Sequence, residues 1–169
     1  MEELFKYFYE SLLDEPKTVK NGSYITLKHV ATGKYLSICD DTYDKYEGGS
    51  VYLVYAGPTV PDTNLFTLTN KNTKYYLCVN GGYESPATKN LIVYGSYSGT
   101  LWHFKSTNSE NPPYMKSKDI INLQSDQFVL RSSESTFTNR SITYQEVACH
   151  KERIGGNDEW CIEIIEQSN

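Results

Sequence analysis

The sequence predicts an all-β chain: three repeated units, about twelve short strands in all, closing into one barrel, with a single α-helix ahead of them. Three observations lead there. Residues 21–36 read as a β-hairpin. Weaker copies of that hairpin recur twice. Leucine-rich amphipathic runs are nearly absent after residue 14, which argues against a helical or α/β chain.

The helix is expected over residues 2–14. Leu4, Phe5, Phe8 and Leu12 fall on one stripe at spacings of three and four, Glu2 and Glu3 suit the positive end of the macrodipole, and Pro16 stops the run. It reads as a lid packed on or beside the barrel, or as a face offered to a partner or a second copy of the chain. The β domain is expected over residues 19–166. Tyr24-Ile25-Thr26-Leu27-Lys28 alternates as a strand does, Ala31-Thr32-Gly33 makes a turn whose glycine supplies positive φ, and Tyr35-Leu36 restarts a strand. Residues 25–36 lie over 66–77, both reading apolar-Thr-Leu, a polar turn with Thr, then Tyr and Leu. Residues 121–130 are a shorter third copy. Trp102 and Trp160 each open a closing strand; the first unit lacks that marker, and its residues 64–66 read both as the end of one unit and as the start of the next. The stretches 50–56, 90–94 and 141–149 supply the intermediate strands. Units of this size cannot each hide an apolar face alone, whereas together they close a barrel without free edges.

Composition narrows the function. The chain has 169 residues and a net charge of −5, which disfavours nucleic acid or an anionic membrane as the main partner. No run approaches the length of a membrane span, so membrane insertion is not expected. The acidic opening residues lack the pattern of a secretory signal, so the expectation is a cytoplasmic protein. In that compartment the sequons at Asn21 and Asn139 have no consequence, and Cys39, Cys78, Cys149 and Cys161, with no CxxC spacing, are expected as buried thiols. Fifteen tyrosines suit a half-buried sheet, with rings packed and hydroxyls wet.

Gly22-Ser23, then Leu27-Lys28-His29, then Thr32-Gly33-Lys34-Tyr35-Leu36, together with Gly49-Ser50-Val51-Tyr52 and Asn157-Asp158-Glu159-Trp160, resemble the pattern of the MIR domain. That module is shared by protein O-mannosyltransferases, inositol trisphosphate and ryanodine receptors, and stromal-cell-derived-factor-2-like proteins. The resemblance implies a β-trefoil, which agrees with the threefold repeat, and it puts His29 at the hairpin turn, bridging backbone groups.

No catalytic set can be assembled, so the chain is not read as an enzyme. His103 and His150 have no carboxylate at an orienting spacing, and no nucleophile sits in an elbow. Cys149, His150 and Cys161 lack a fourth metal ligand. The Gly81-Gly82 and Gly155-Gly156 pairs precede no helix and read as turns, not phosphate cradles. No metal or cofactor is expected. The loop after the first hairpin carries Asp40, Asp41, Tyr43 and Tyr46, and the equivalent loop of the second unit carries Asn80 and Tyr83. Rings beside hydrogen-bond acceptors are what an uncharged sugar needs, so these six residues are the candidate ligand contacts. The leading reading is a non-enzymatic binding module for a glycan or protein. The alternatives are an adaptor that uses the N-terminal helix, and a protease inhibitor that presents the Pro112-Pro113 segment within residues 107–118.

Overall fold

Strand period two places Ile25, Leu27 and His29 on the same side of Tyr24–His29 (β1), and all three are buried. The computed structural model describes residues 17–20, 23–44, 46, 51–58, 66–67, 69–70, 75–108 and 113–166. The helix expected over 2–14, and Gly22, lie outside the described residues. Eleven further strands follow: Tyr35–Thr42 (β2), Tyr52–Gly57 (β3), Phe66–Thr67 (β4), Thr69–Asn70 (β5), Tyr76–Glu84 (β6), Leu91–Ser96 (β7), His103–Ser106 (β8), Ile120–Ser125 (β9), Phe128–Asn139 (β10), Ile142–His150 (β11) and Trp160–Glu166 (β12). The only helical turn among the described residues is a 3-10 turn at Gly156–Asp158. The fold is therefore all-β, and its strands form one antiparallel sheet system.

Repetition is visible in the register. Three long hairpins, β2–β3, β6–β7 and β10–β11, each carry a register shift, after Ile38, Val79 and Ser132 respectively. The residues leading into them, Leu36, Leu77 and Leu130, are all fully buried. The second strands pair with one another in a closed cycle: Tyr52 with Gly95, Ile92 with Ala148, and Gln145 with Ala56. The remaining strands follow the order β5-β4-β1-β12-β9-β8. β1 and β9 share one burial pattern, with Ile25 and Leu27 matched by Ile121 and Leu123.

The closing tryptophans have a common task. Trp102 Nε1–H donates to the Leu77 carbonyl at 2.9 Å, and Trp160 Nε1–H donates to the Leu130 carbonyl at 3.2 Å. Each ring thus fills the core and satisfies a carbonyl of its own unit's hairpin. In the first unit the corresponding strand is β4. Phe66 pairs with Ile25 as Trp160 pairs with Ile121. Phe66 thus ends the first unit, and the second opens at β5, where Thr69 pairs with Tyr76 as Lys28 pairs with Tyr35, so the expected alignment of residues 25–36 with 66–77 keeps its register. Phenylalanine has no N–H to offer a carbonyl, so the first unit carries no tryptophan signal.

The core divides in two. A large cluster joins Ile25, Leu36, Leu77, Trp102, Leu123, Trp160 and Ile162. A smaller one beneath the hairpin cycle holds Tyr43, Leu53, Ile92 and Phe137. Gly82, expected in a turn, lies within β6, and Gly155-Gly156 leads into the 3-10 turn.

Candidate functional site

The hairpin motif is a structural latch. Gly33, at φ 69°, closes the turn by donating its N–H to the His29 carbonyl at 2.8 Å. His29 Nδ1 meets Thr32 Oγ1 at 2.9 Å, and Nε2 meets the Asn157 carbonyl at 3.0 Å. A carbonyl only accepts, so Nε2 carries the proton and the Thr32 hydroxyl donates to Nδ1. Burial pushes the imidazole below its ordinary pKa, against the raising effect of the Asn157 carbonyl and the Asp158 charge. Ser23 Oγ accepts the Lys20 N–H at 2.9 Å, and the Tyr35 hydroxyl donates to Glu163 at 3.1 Å.

His150 corrects the expectation that no carboxylate orients it. Its Nε2 lies 2.8 Å from Asp158 Oδ1, with both side chains buried. Nδ1 accepts the Glu152 N–H at 3.1 Å, so the proton is on Nε2 and points at Asp158. The other Asp158 oxygen accepts the Gly155 N–H at 2.7 Å. Both imidazole nitrogens are committed, so the pair ties β11 to the 3-10 turn and leaves no basic nitrogen for a substrate. Cys149 and His150 help to line a shallow cleft of about 340 Å³, with Lys89, Asn90, Leu91, Phe128 and Lys151. Among the described residues no group of three or more His, Cys, Asp or Glu is placed to hold a metal.

All four cysteines are unpaired, Cys78 and Cys149 buried and Cys39 and Cys161 half-buried. Burial pushes the Cys78 thiol up to about 11, although a backbone hydrogen bond opposes it. Its Sγ lies 2.7 Å from the Ser98 carbonyl.

The six candidate contacts separate. Tyr43 is buried, and its hydroxyl donates toward the Val54 and Val93 carbonyls at 3.0 and 3.2 Å. The register shift in β2–β3 turns it inward, and it has no face left for a ligand. Asp41 is held by Arg140 at 3.3 Å, and the same guanidinium holds Asp44 at 2.8 Å. Asp40 is exposed. Tyr46 and Tyr83 do come together, with ring centroids 5.0 Å apart, and the Tyr46 hydroxyl donates to the Glu84 carbonyl. The Asn80 side chain lies outside the described residues. In the 107–118 segment, residues 109–112 are likewise outside. Its far end is pinned, because Val19 N–H donates to the Met115 carbonyl at 2.8 Å and Ser117 N–H to the Lys17 carbonyl at 2.8 Å.

A second aromatic group was not legible in the sequence. Tyr52 and Tyr75 stack at 3.6 Å between centroids, 17° from parallel. Tyr97 stands nearly upright to both, at 87° and 73°. The Tyr52 and Tyr97 hydroxyls are 3.3 Å apart. Tyr97 is 65% exposed and Tyr75 is buried.

With the architecture and this tyrosine-bearing surface defined, the chain falls among all-β modules with repeated hairpins. No family model matches the sequence, and no curated protein matches it. Eight chains among solved structures do match. One is the crystal structure of the SDF2-like protein from Arabidopsis thaliana, a MIR-domain protein, at a TM-score of 0.69 and 20% identity. It covers 90% of this chain and 100% of that one. At that identity the likeness establishes a shared fold. No helix among the described residues is long and apolar enough to cross a membrane.

Proposed function

We propose that this chain is a MIR-type β-trefoil that works by binding, not by catalysis, and that its ligand is carbohydrate. Three observations support the trefoil: the cyclic pairing of β3, β7 and β11, the strand order of the six strands outside the long hairpins, and the likeness to the SDF2-like protein. The observation that carries the binding reading is the placement of tyrosines where the first two units meet. Tyr46 and Tyr83 lie at one end of β7, and Tyr52 and Tyr97 at the other. Rings of this kind offer an apolar face and a polar tip to the same ligand.

A glycan array probed with the full chain at high density tests the reading. Signal is expected on uncharged mono- or oligosaccharides. A blank array, with a melting transition proving the protein folded, would sink it.

A further inference from the structure

Resting on that reading, we propose that the corner formed by Tyr52, Tyr75 and Tyr97 is the site that takes one uncharged pyranose ring. The corner is built by close approach. Gly95 pairs with Tyr52 across β3–β7, and a Cβ at Gly95 would lie 2.7 Å from Ile38 Cγ2, 3.1 Å from Tyr52 Cβ and 3.3 Å from Tyr75 Cβ. Only a residue without a side chain leaves the two rings room to stack at 3.6 Å.

The result is a backed wall, Tyr52 on buried Tyr75, with exposed Tyr97 set almost at right angles to it. A pyranose has one face of weakly positive C–H groups and a rim of hydroxyls. The aromatic face, negative in its quadrupole, receives the former. Phenol hydroxyls receive the latter, donating and accepting within the span of one ring. Those hydroxyls are gathered at one point, with Tyr52 and Tyr97 oxygens 3.3 Å apart. The Tyr97 phenol is held above its ordinary pKa, chiefly by its bond to Tyr52.

A proline-rich peptide would also seek tyrosines, but it needs a slot between spaced rings. Here Tyr52 and Tyr75 touch, and no slot lies between them. A sugar carrying its own carboxylate would meet the repulsive field of a chain of net charge −5.

The test is a titration of the full-length chain, followed by amide chemical shifts. The probes are methyl α-mannopyranoside, methyl β-glucopyranoside, glucuronate and a decaproline peptide. One of the neutral glycosides is expected to bind at millimolar strength and to move amides around Tyr52, Gly95 and Tyr97. Tyr97→Ala is expected to weaken that binding about tenfold and Tyr97→Phe about threefold. Tyr114→Ala, at an exposed tyrosine outside both groups, is expected to cost nothing. Tyr97 is exposed, so its variants keep the fold, and a melting curve verifies this. Binding that survives Tyr97→Ala but is lost in Tyr83→Ala would overturn the site while leaving the carbohydrate reading intact. Binding of decaproline or glucuronate alone would overturn the ligand class. No binding of either neutral glycoside, together with a blank array, would end both proposals.

Discussion

Glu146 is a buried carboxylate on β11 that holds a turn of another hairpin. It accepts the Ala87 N–H at 2.6 Å, the Thr88 N–H at 3.0 Å and the Thr88 hydroxyl. The carboxylate is 3% exposed at the residue level, whereas Ala87 is half-buried and Thr88 exposed. Hydrogen bonds to a charged group are each worth about 1.5–3 kcal/mol, so three amount to about 5–9 kcal/mol before offsets. Two offsets apply. The freed donors can turn to water, and removing the carboxylate also removes its desolvation cost of several kcal/mol. The net loss expected for Glu146→Ala is therefore about 2–3 kcal/mol, and about 1.5–2 kcal/mol for Glu146→Gln, which keeps one acceptor but sets an NH2 against a donor. Urea unfolding at equilibrium measures the loss. Hydrogen exchange localises it, because protection at Ala87 and Thr88 should fall by more than the global change requires. A Glu146→Gln protein within about 0.5 kcal/mol of the parent, with exchange at both amides unchanged, would refute the reasoning.

Two other outcomes follow from local geometry. The folded-state pKa of His29 lies below its ordinary value of 6.5, so across that window the unfolded chain binds a proton that the folded chain does not. His29 thus contributes full stability above pH 6.5 and loses it as pH falls, by at most about 1.4 kcal/mol per pH unit. His29→Gln should flatten that part of a stability–pH curve, and an unchanged slope would contradict the assignment. The two glycines separate conformational from steric cost. Gly33→Ala has room, its nearest neighbour being 3.9 Å away, and pays only for positive φ, about 1 kcal/mol. Gly95→Ala forces backbone or Ile38 to move and should cost about 2–3 kcal/mol and disturb the Tyr52–Tyr75 stack. Equal melting points for the two variants would show that the close approach at Gly95 is not required.

Legibility in the sequence followed locality. The hairpin of β1 and β2 could be read because Leu27, His29, Thr32, Gly33 and Leu36 sit within ten residues and act on one another. The turn joining β10 to β11 gave no glycine signal, since Arg140 and Ser141 themselves adopt φ 47° and 72°. Tyr43 looked like a loop aromatic, and nothing nearby in sequence announces the register shift that turns it inward. The His150–Asp158 pair spans an irregular segment, so no periodicity connects the two. The tyrosine corner takes one ring from β3 and the others from residues flanking β6 and β7, brought together only by β3–β7 and β6–β7 pairing.

The three-membered circuit of β3, β7 and β11 sets a condition on how this protein can come apart. Each hairpin there is both host and guest, covering a bare backbone edge on one neighbour and having its own covered by the other. Peeling one away strips hydrogen-bond partners from both survivors at once, so intermediate dismantled forms are penalised twice. A single excised unit should therefore be unable to persist as a small stand-alone domain, and the chain should melt in one step.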